Sequence, residues 1–275
     1  MKKIICLMLA TLLVLCFAAC DTSSEAPKPT EAPRELTVAE LLDLIEKNDA
    51  NNNTGRVMKN SMDASVKATV PGLTMNLTMS MLQYSKEDGD NSVMASEFTT
   101  TFPGEEAEKD IEYYANGYLY TVIDGVTIKT ESSFEEATGS SDNDAEEPSD
   151  EEFINVIKES SSEIQSDGSY KIFISIDTTK DISFLYELLG GLDSDGGEIN
   201  ISKMDIMLYV SAEYLVDLVE IDMVVSMVQD NPDVGSIKME YTMKVKMEIM
   251  PQDFVIQIPE DIDIENAVDS SQEEL

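Results

Sequence analysis

Residues 237–249 read Ile-Lys-Met-Glu-Tyr-Thr-Met-Lys-Val-Lys-Met-Glu-Ile, an unbroken alternation of apolar and polar side chains. Because successive side chains of a β-strand point to opposite faces, this alternation predicts a strand with one buried face and one face in water. Such strands are typical of antiparallel sheets that pack one face on a hydrophobic core. The odd-numbered residues of the stretch are therefore expected to be buried.

A second alternation lies nearer the start of the chain, where Leu73, Met75, Leu77, Met79 and Met81 occupy every other position. The residues between them are mostly polar, so this stretch also predicts an amphipathic strand. The same pattern, read along the rest of the chain, predicts strands at 63–70, 92–101, 110–116, 118–123, 126–130, 170–176, 199–210, 214–228, 236–249 and 253–258.

Short connections join several of these strands. Asn116-Gly117 and Asp124-Gly125 are two-residue sequences that favour the tight turns of β-hairpins. Helices are few, and one of them is predicted at 181–189. Long alternating strands with few helices predict an α+β fold in which one large curved antiparallel sheet, a half-barrel, carries the helices on its concave face.

Two further helices are predicted from their N-terminal caps. Thr37 and Glu40 match a capping box, and the apolar residues behind them predict a helix over 37–48. Ser149 and Glu152 repeat the pattern in front of a short helix. We expect both helices to pack their apolar stripe on the sheet.

The N-terminal residues have the order of an export signal. Lys2 and Lys3 precede an apolar run from Ile4 to Phe17, and two small residues follow before Cys20. The run is shorter than the roughly 20 apolar residues that a transmembrane helix needs. Residues 1–19 are therefore predicted to be a cleaved signal peptide.

Phe17-Ala18-Ala19-Cys20 resembles the bacterial lipobox, with Phe17 in place of the usual leucine. The resemblance implies cleavage before Cys20, a diacylglyceryl thioether on that cysteine, and a fatty acid such as palmitate on its new amino group. It places the chain on the extracytoplasmic face of the cell membrane. The alternative is an ordinary secretory signal that ends near a cysteine.

Composition divides the rest of the chain into segments. Residues 130–150 are rich in Ser, Asp and Glu, with Phe134 as their one large apolar residue, which predicts a disordered acidic linker between two halves. The predicted segments are a signal peptide at 1–19, a lipidated cysteine with a flexible tether at 20–35, a half-barrel domain at 36–262 and an acidic tail at 263–275.

At domain level the chain resembles the LolA-like and LppX-like half-barrel lipoproteins, and more closely a group of Gram-positive lipoproteins of unassigned role. The resemblance rests on residues 58–62, the hairpin at 113–120 and the closing stretch 255–259, and it covers most of 36–262. It implies a cavity between a concave sheet and its helices that shields an acyl chain from water. It implies no catalytic residue.

The chain has 16 methionines, and most of those outside the predicted signal fall in predicted strands. Flexible thioether side chains adapt to varied apolar partners, so a methionine-lined face is suited to a lipid tail. The alternative is that the same residues pack beneath the helices as ordinary core. The candidate residues that line the cavity are Met75, Met79, Met81, Met223, Met227, Met239, Met243 and Met247.

Four tyrosines cluster around one predicted hairpin: Tyr113, Tyr114, Tyr118 and Tyr120. Tyrosine combines ring area with a polar tip, which is typical of binding surfaces, and the four residues are candidates for the rim of the cavity. Packing within the sheet is the alternative explanation.

Charge and composition narrow the function further. The chain has 55 acidic and 18 basic residues, a net charge of −37, which repels nucleic acid. Histidine and tryptophan are absent, and the other cysteines, Cys6 and Cys16, lie in the predicted signal. The commonest general base and the usual metal ligands are thus missing. We predict a non-enzymatic protein without cofactor or metal, although carboxylate-based glycosidase chemistry stays open on composition alone.

Two acidic runs, at 142–147 and 193–198, bring carboxylates close together, but neither matches the calcium-binding loop of EF-hands. The sequence thus leaves two functional hypotheses. The first is a membrane-anchored binding protein that carries a lipid or other hydrophobic ligand. The second is an envelope scaffold or sensor lipoprotein with a filled core that binds another protein.

Overall fold

The computed structural model describes residues 36–49, 55–138, 150–182, 198–231 and 235–270. The predicted signal peptide, Cys20 and the tether lie outside these ranges. So do the acidic runs at 142–147 and, except for Glu198, at 193–198.

A single curved, unclosed sheet of 12 strands dominates the fold, which confirms the predicted α+β half-barrel. The helices are α1 (Val38–Asp49), α2 (Phe134–Thr138) and α3 (Asp150–Val156). The strands are β1 (Met58–Val70), β2 (Leu73–Lys86), β3 (Val93–Thr101), β4 (Glu108–Ala115), β5 (Tyr118–Ile123), β6 (Val126–Glu131), β7 (Ile157–Ile164), β8 (Tyr170–Ile176), β9 (Glu198–Val210), β10 (Val216–Asn231), β11 (Gly235–Ile249) and β12 (Val268–Asp269).

The strands are ordered β12-β6-β5-β4-β3-β2-β1-β11-β10-β9-β8-β7 across the sheet. Neighbouring strands are antiparallel except for β12, which runs parallel to β6. The first half of the sheet, β1–β6, and the second half, β7–β11, meet where β1 pairs with β11, with Met62 opposite Val245 and Ala64 opposite Met243. The two halves thus form one continuous hydrogen-bonded surface.

The two faces of the sheet differ in what covers them. We call the face that carries Met62, Met79 and Met243 the helix face, because the residues of α1 pack with these side chains in the main core. The opposite side is the outer face. As predicted, the buried residues of β11 are odd-numbered, among them Met243 and Val245, which are about 6% exposed.

Helix α1 begins as its sequence predicts. The backbone N–H of Thr37 donates to the Glu40 carboxylate at 2.9 Å, and the N–H of Glu40 donates to the Thr37 hydroxyl at 3.3 Å. Each side chain thus satisfies a donor that the first turn of a helix leaves unpaired. Leu41 follows on the buried side and has no exposed surface.

The two predicted hairpins also form. Asn116 and Gly117 have φ of 55° and 80°, and Asp124 and Gly125 have φ of 51° and 78°. Positive φ at both central residues is the geometry of the turn that suits the twist of adjacent strands. These turns set the register of β4, β5 and β6.

The predicted strand at 253–258 is wrong. Residues 251–267, here called the strap, cross the outer face of the first half, where Ile256, Ile262 and Ile264 pack over strand residues. Phe254 and Ile256 are half-buried between exposed neighbours, but among the described residues this segment joins no backbone ladder. Beyond it, β12 adds a short strand within the predicted acidic tail.

Helix α2 lies inside the segment predicted to be a disordered linker. Ser133 and Glu136 form a capping box that the sequence analysis missed, with N–H to side-chain distances of 2.9 and 3.1 Å. Phe134 packs its ring against Tyr114 with 5.5 Å between centroids. The part of the predicted linker at 139–149 lies outside the described residues.

Strand β7 was not predicted, because its sequence Ile-Lys-Glu-Ser-Ser-Ser-Glu-Ile lacks alternation. Among the described strands it lies at one edge of the sheet, paired with β8, and its middle residues are exposed. The helix predicted at 181–189 and the cap residue Ser149 fall largely or wholly outside the described residues.

Candidate functional site

Seven of the eight methionines predicted to line a cavity belong to the packed part of the helix face. Met223, Met243, Ala64 and Met79 are direct cross-strand neighbours on four adjacent strands, so the small Ala64 lies between methionines. The structure buries Met79, Met223, Met227, Met243 and Met247, leaves Met81 and Met239 half-buried, and exposes Met75. Ligand binding by these residues stays a prediction.

The helix face becomes accessible to solvent where β2 begins. Leu73 is 53% exposed and Met75 is 43% exposed. Met75 pairs across the sheet with Ala68, which pairs in turn with the half-buried Met239. We call Leu73, Met75 and Met239 the apolar rim. It continues the buried apolar surface of the main core out to solvent.

The four tyrosines do not share one surface, because neighbouring strand residues point to opposite faces. Tyr113 and Tyr120 are buried on the outer face beneath the strap, with 6.3 Å between ring centroids. Tyr118 is half-buried in the same cluster. Tyr114 lies on the helix face against Phe134. Packing accounts for these positions, and a role in ligand binding stays a prediction.

A line of polar residues crosses the helix face of the first half. Asn60, Gln83, Ser96 and Glu112 are consecutive cross-strand partners on β1, β2, β3 and β4. The Asn60 side-chain amide donates to the Gln83 carbonyl oxygen at 3.3 Å, and the Ser96 hydroxyl lies 3.4 Å from the Glu112 carboxylate. We call these four residues the polar row.

Asn60 of the polar row is 1% exposed. Among the described residues, its Oδ1 has no hydrogen-bond donor. A buried acceptor without a donor costs roughly 1–3 kcal/mol. Since Asn60 Nδ2 reaches toward Gln83, the amide as a whole is directed along the row.

The row ends on a strand whose helix face is acidic. Glu108, Asp110 and Glu112 alternate along β4, opposite Thr100, Phe98 and Ser96 of β3. We call these three acidic residues the acidic ladder. Because residues two apart on a strand are roughly 6.5–7 Å apart, the ladder does not have the geometry of a metal site.

Burial raises the pKa of the Glu112 carboxyl above its ordinary value. The hydrogen bond from Ser96 opposes the rise, and the negative charge of Asp110 adds to it. Among the described residues, no lysine or arginine forms an ion pair with Glu112. The ladder therefore places a partly desolvated carboxyl beside the apolar residues of β2 and β3.

Sequence reasoning missed both the polar row and the acidic ladder. The signal was present, because Asp110 and Glu112 alternate with Ile111 and Tyr113 in the predicted strand at 110–116, and Glu108 lies two residues before it. In β4 the apolar residues of this alternation mark the outer face, and the acidic residues lie on the helix face. The sequence did not predict which face of this strand is covered by a core.

The outer face of the second half carries a groove of 480 Å³. Its charged residues partly neutralise one another, since the Lys203 ammonium lies 3.2 Å from Asp205 and 2.7 Å from Asp222. Phe173 and Met207 supply apolar surface to its floor. The groove is thus a mixed surface without a dominant charge.

Within the described ranges, every helix is too short or too polar to span a membrane. In the same residues, no set of three or more acidic, histidine or cysteine side chains is arranged to hold a metal ion.

No family model matches the chain, and no curated protein matches it. LprF from Mycobacterium bovis matches with 10% sequence identity and a TM-score of 0.35, over 82% of this chain and 98% of LprF. A putative AttH protein from Nitrosomonas europaea matches with 8% identity and a TM-score of 0.24, over 82% and 58% of the two chains.

A β-barrel-like protein of the domain of unknown function DUF1849, from Brucella abortus, matches with 10% identity and a TM-score of 0.23. The match covers 72% of this chain and all of the other. Similarities this low carry no information on function, because one architecture serves many unrelated activities.

Proposed function

We propose that the protein is a membrane-anchored extracytoplasmic lipoprotein that binds a hydrophobic ligand, such as a lipid or an acyl chain, on the helix face, and that it is not an enzyme. The sequence of the first 20 residues supports export and anchoring through Cys20. A single acyl chain binds membranes only marginally, whereas several chains hold a protein firmly.

The apolar rim carries the ligand-binding part of the proposal. Leu73 and Met75 leave about half of their surface in water although they continue the face that forms the main core. Burying such surface is favourable by roughly 25 cal/mol per Å², so an acyl chain laid along it is held without any specific hydrogen bond.

Two substitutions on the same strand test this role. Met75→Asp places a charge on the apolar rim, and Leu82→Asp places one on the outer face at a residue of similar exposure, 38% against 43%. We expect Met75→Asp to reduce the lipid that co-purifies with the protein and Leu82→Asp to leave it unchanged. Native mass spectrometry without detergent measures the bound lipid. Equal losses in both variants, or no lipid on the unmodified protein, would contradict the proposal.

Membrane attachment is tested separately with Cys20→Ser. The variant has no thiol to form the thioether, so we expect it in the soluble fraction or with its signal uncut. Fractionation followed by mass measurement of the N-terminus distinguishes these outcomes. Retention of a correctly cut Cys20→Ser protein in the membrane would refute anchoring through this residue.

A second function, an envelope scaffold or sensor that binds another protein, is favoured by the filled interior of the second half. Met223 and Met243 are 2% and 6% exposed and face each other across β10 and β11. If this function is correct, crosslinking in intact membranes captures a defined protein partner, and the purified chain carries no lipid.

A further inference from the structure

We infer that one end of the sheet rests on the surface of a lipid bilayer and that the hydrophobic ligand enters the helix face there. The contact is made by the hairpins β1–β2 and β10–β11, which end side by side. This inference rests on the proposed function, because it orients the anchored protein and names the entrance of the same ligand-binding face. The observation that carries it is a hairpin with exposed apolar side chains and without carboxylates, in a strongly acidic chain.

The hairpin β1–β2 lacks acidic residues. Residues 64–85 contain no Asp or Glu and one basic residue, Lys67. The chain as a whole has 55 acidic residues among 275, so every fifth residue is acidic on average. Moving a carboxylate from water into a lipid surface is costly. A segment that touches lipid is therefore expected to be free of carboxylates, as this hairpin is.

The two hairpins are in close contact where they end. Thr101, the last residue of β3, lies opposite Thr78, so β2 extends five residues beyond its neighbour β3. A side-chain carbon on Gly235, where β11 begins, would come within 3.2 Å of the Pro71 ring in the turn of the other hairpin. The ends of the two hairpins thus form one projecting unit. We call residues 69–75 and 235–239 the hairpin tip.

The hairpin tip has an apolar side and a polar side. Its helix-face side carries the apolar rim, where Leu73 is 53% and Met75 is 43% exposed. Its outer side carries Thr74 and Lys238, which are both exposed. An apolar side beside hydroxyl and ammonium groups is typical of elements at the boundary between lipid and water, where a lysine keeps its ammonium among the head groups. The composition of the hairpin tip thus suits shallow insertion.

The exposure of the apolar residues of β2 falls step by step from the hairpin tip toward the core. Leu73 and Met75 are exposed, Leu77 is half-buried, and Met79 is 5% exposed. Met79 belongs to the main core, and Leu77 packs against it. An acyl chain that leaves a bilayer at the hairpin tip therefore moves onto this apolar surface without crossing water, which avoids the cost of hydrating the chain.

The predicted tether is long enough for this orientation. The Leu36 carbonyl oxygen accepts a hydrogen bond from the Ser162 hydroxyl on β7, and the strand pairing places Ser162 level with Asn60 of β1. Asn60 is ten residues before the end of β1 at Val70, so Leu36 lies roughly 33 Å behind the hairpin tip along the strands. The chain from Cys20 to Leu36 spans at most about 55 Å. A bilayer at the hairpin tip is thus within reach of the lipidated cysteine.

The inference is tested with the lipidated protein reconstituted into phosphatidylcholine vesicles. Lipid blocks the Cys20 thiol, and the other two cysteines, Cys6 and Cys16, leave with the predicted signal. A cysteine introduced elsewhere therefore takes a fluorescent label at a single position. Nitroxide-labelled phosphatidylcholine in the vesicles quenches a label that contacts lipid. Mass measurement of the N-terminus and flotation of the vesicles verify the anchor independently.

Two label positions compare the ends of the sheet. We expect a label on Thr74→Cys to lose intensity in the nitroxide vesicles, because Thr74 lies in the hairpin tip. A label on Val255→Cys is expected to keep its intensity. Val255 is a suitable control because it is 67% exposed and follows Phe254, which stacks on Tyr84 near the other end of β2.

Two changes in the Thr74→Cys protein assign the contact. Leu73→Asp puts a charge on the apolar rim and is expected to abolish the quenching, whereas Val255→Asp is expected to keep it. Deletion of residues 24–33 shortens the tether to at most roughly 20 Å, too short for the hairpin tip to reach the bilayer, so quenching is also lost. Replacement of the same residues by Gly and Ser keeps the length of the tether and the quenching.

The outcomes separate the inference from the proposed function. If the protein floats with the vesicles but the Thr74 label is not quenched, or is quenched no more than the Val255 label, the inference is wrong while anchoring stands. If the protein does not stay with the vesicles, the proposed anchoring fails and the inference fails with it. If the Thr74 label responds to protein concentration instead of nitroxide lipid, the hairpin tip is a contact between copies of the chain, and lipid docking is wrong.

Discussion

Strand β4 of the first half and the strands of the second half bury opposite sides of the sheet. In the second half, Met223 and Met243 point into the main core on the helix face, and the outer face carries charged residues. In the first half, Ile111 and Tyr113 of β4 are buried on the outer face under the strap, and the helix face of that strand is the acidic ladder. A single sheet thus has two cores on opposite faces.

The difference shows that a strand's alternation and its burial are separate properties. Strands β4 and β11 both alternate, but β11 is covered by residues of the main core, and β4 is covered by the strap, which comes after all the long strands. Because the strap covers the apolar side of β4, the helix face of this strand carries the carboxylates of the acidic ladder. Substitutions in the two cores test this contrast.

The largest effect is expected for Met243→Asp in the centre of the main core. An unpaired charge at a residue that is 6% exposed costs more than about 4 kcal/mol of the free energy of unfolding. Thr242→Asp on the same strand is the control, because Thr242 is exposed on the outer face. Urea unfolding of both variants measures the difference, and an unchanged midpoint for Met243→Asp would reverse the assignment of faces.

The outer-face core is tested with Ile262→Ala in the strap. Ile262 is 7% exposed, and removing a buried side chain of this size costs about 2–5 kcal/mol. Ile258→Ala in the same segment removes a side chain that is 49% exposed and is expected to change stability by less than about 0.5 kcal/mol. If the two variants melt at the same temperature, the strap does not form a core.

Helix caps provide a smaller test of how strongly each half depends on its helix. Thr37→Ala removes the cap of α1 and is expected to lower the free energy of unfolding by about 1 kcal/mol. Ser133→Ala removes the same kind of cap from α2, which has no buried residue, and is expected to cost less. Equal effects in chemical unfolding would show that α2 contributes as much to the fold as α1.

The smallest effect is expected for Glu112→Gln without ligand, and its sign depends on pH. Because the pKa of Glu112 is raised in the folded state, ionisation of this residue destabilises the fold. The cost is absent below the ordinary pKa of a glutamate, grows as pH rises, and is complete above the raised pKa. Glu112→Gln should therefore raise the melting temperature at neutral pH.

The pH dependence distinguishes this effect from a simple change in packing. The gain in melting temperature is expected to shrink as pH is lowered from neutral toward the ordinary pKa of a glutamate, because the wild-type carboxyl takes up its proton. Glu97→Gln is the control and should show no such gain, since Glu97 is paired with Lys109. A gain that does not change with pH would argue against a raised pKa at Glu112.

Much of the fold was predictable because its signals are local. The capping box at Thr37 and the turns at Asn116 and Asp124 formed as predicted. Strand β7 was not predicted, because an edge strand with exposed residues shows no alternation of apolar and polar side chains. The segment at 253–258 was wrongly predicted to be a strand, because the same alternation also arises where an extended chain lies across the face of a sheet.

The candidate site was less predictable than the fold. Met75 was a candidate from sequence, but its exposure at the rim depends on what covers the neighbouring strands. The polar row combines residues from four strands, and Asn60, Gln83, Ser96 and Glu112 lie on one line only through the register of the sheet. No local sequence pattern predicts this register, because it depends on how distant strands pair.

Residues a few positions apart were enough to predict most of the strands and their tight turns, and they also predict an export signal at the N-terminus. Only the tertiary structure decided which side of each strand lies in a core and where carboxylates meet apolar side chains. The physical reason is that alternation describes the two sides of one strand, whereas burial depends on the segment that packs on it. In this chain β11 belongs to the main core, which includes residues of α1, whereas β4 is covered by the strap.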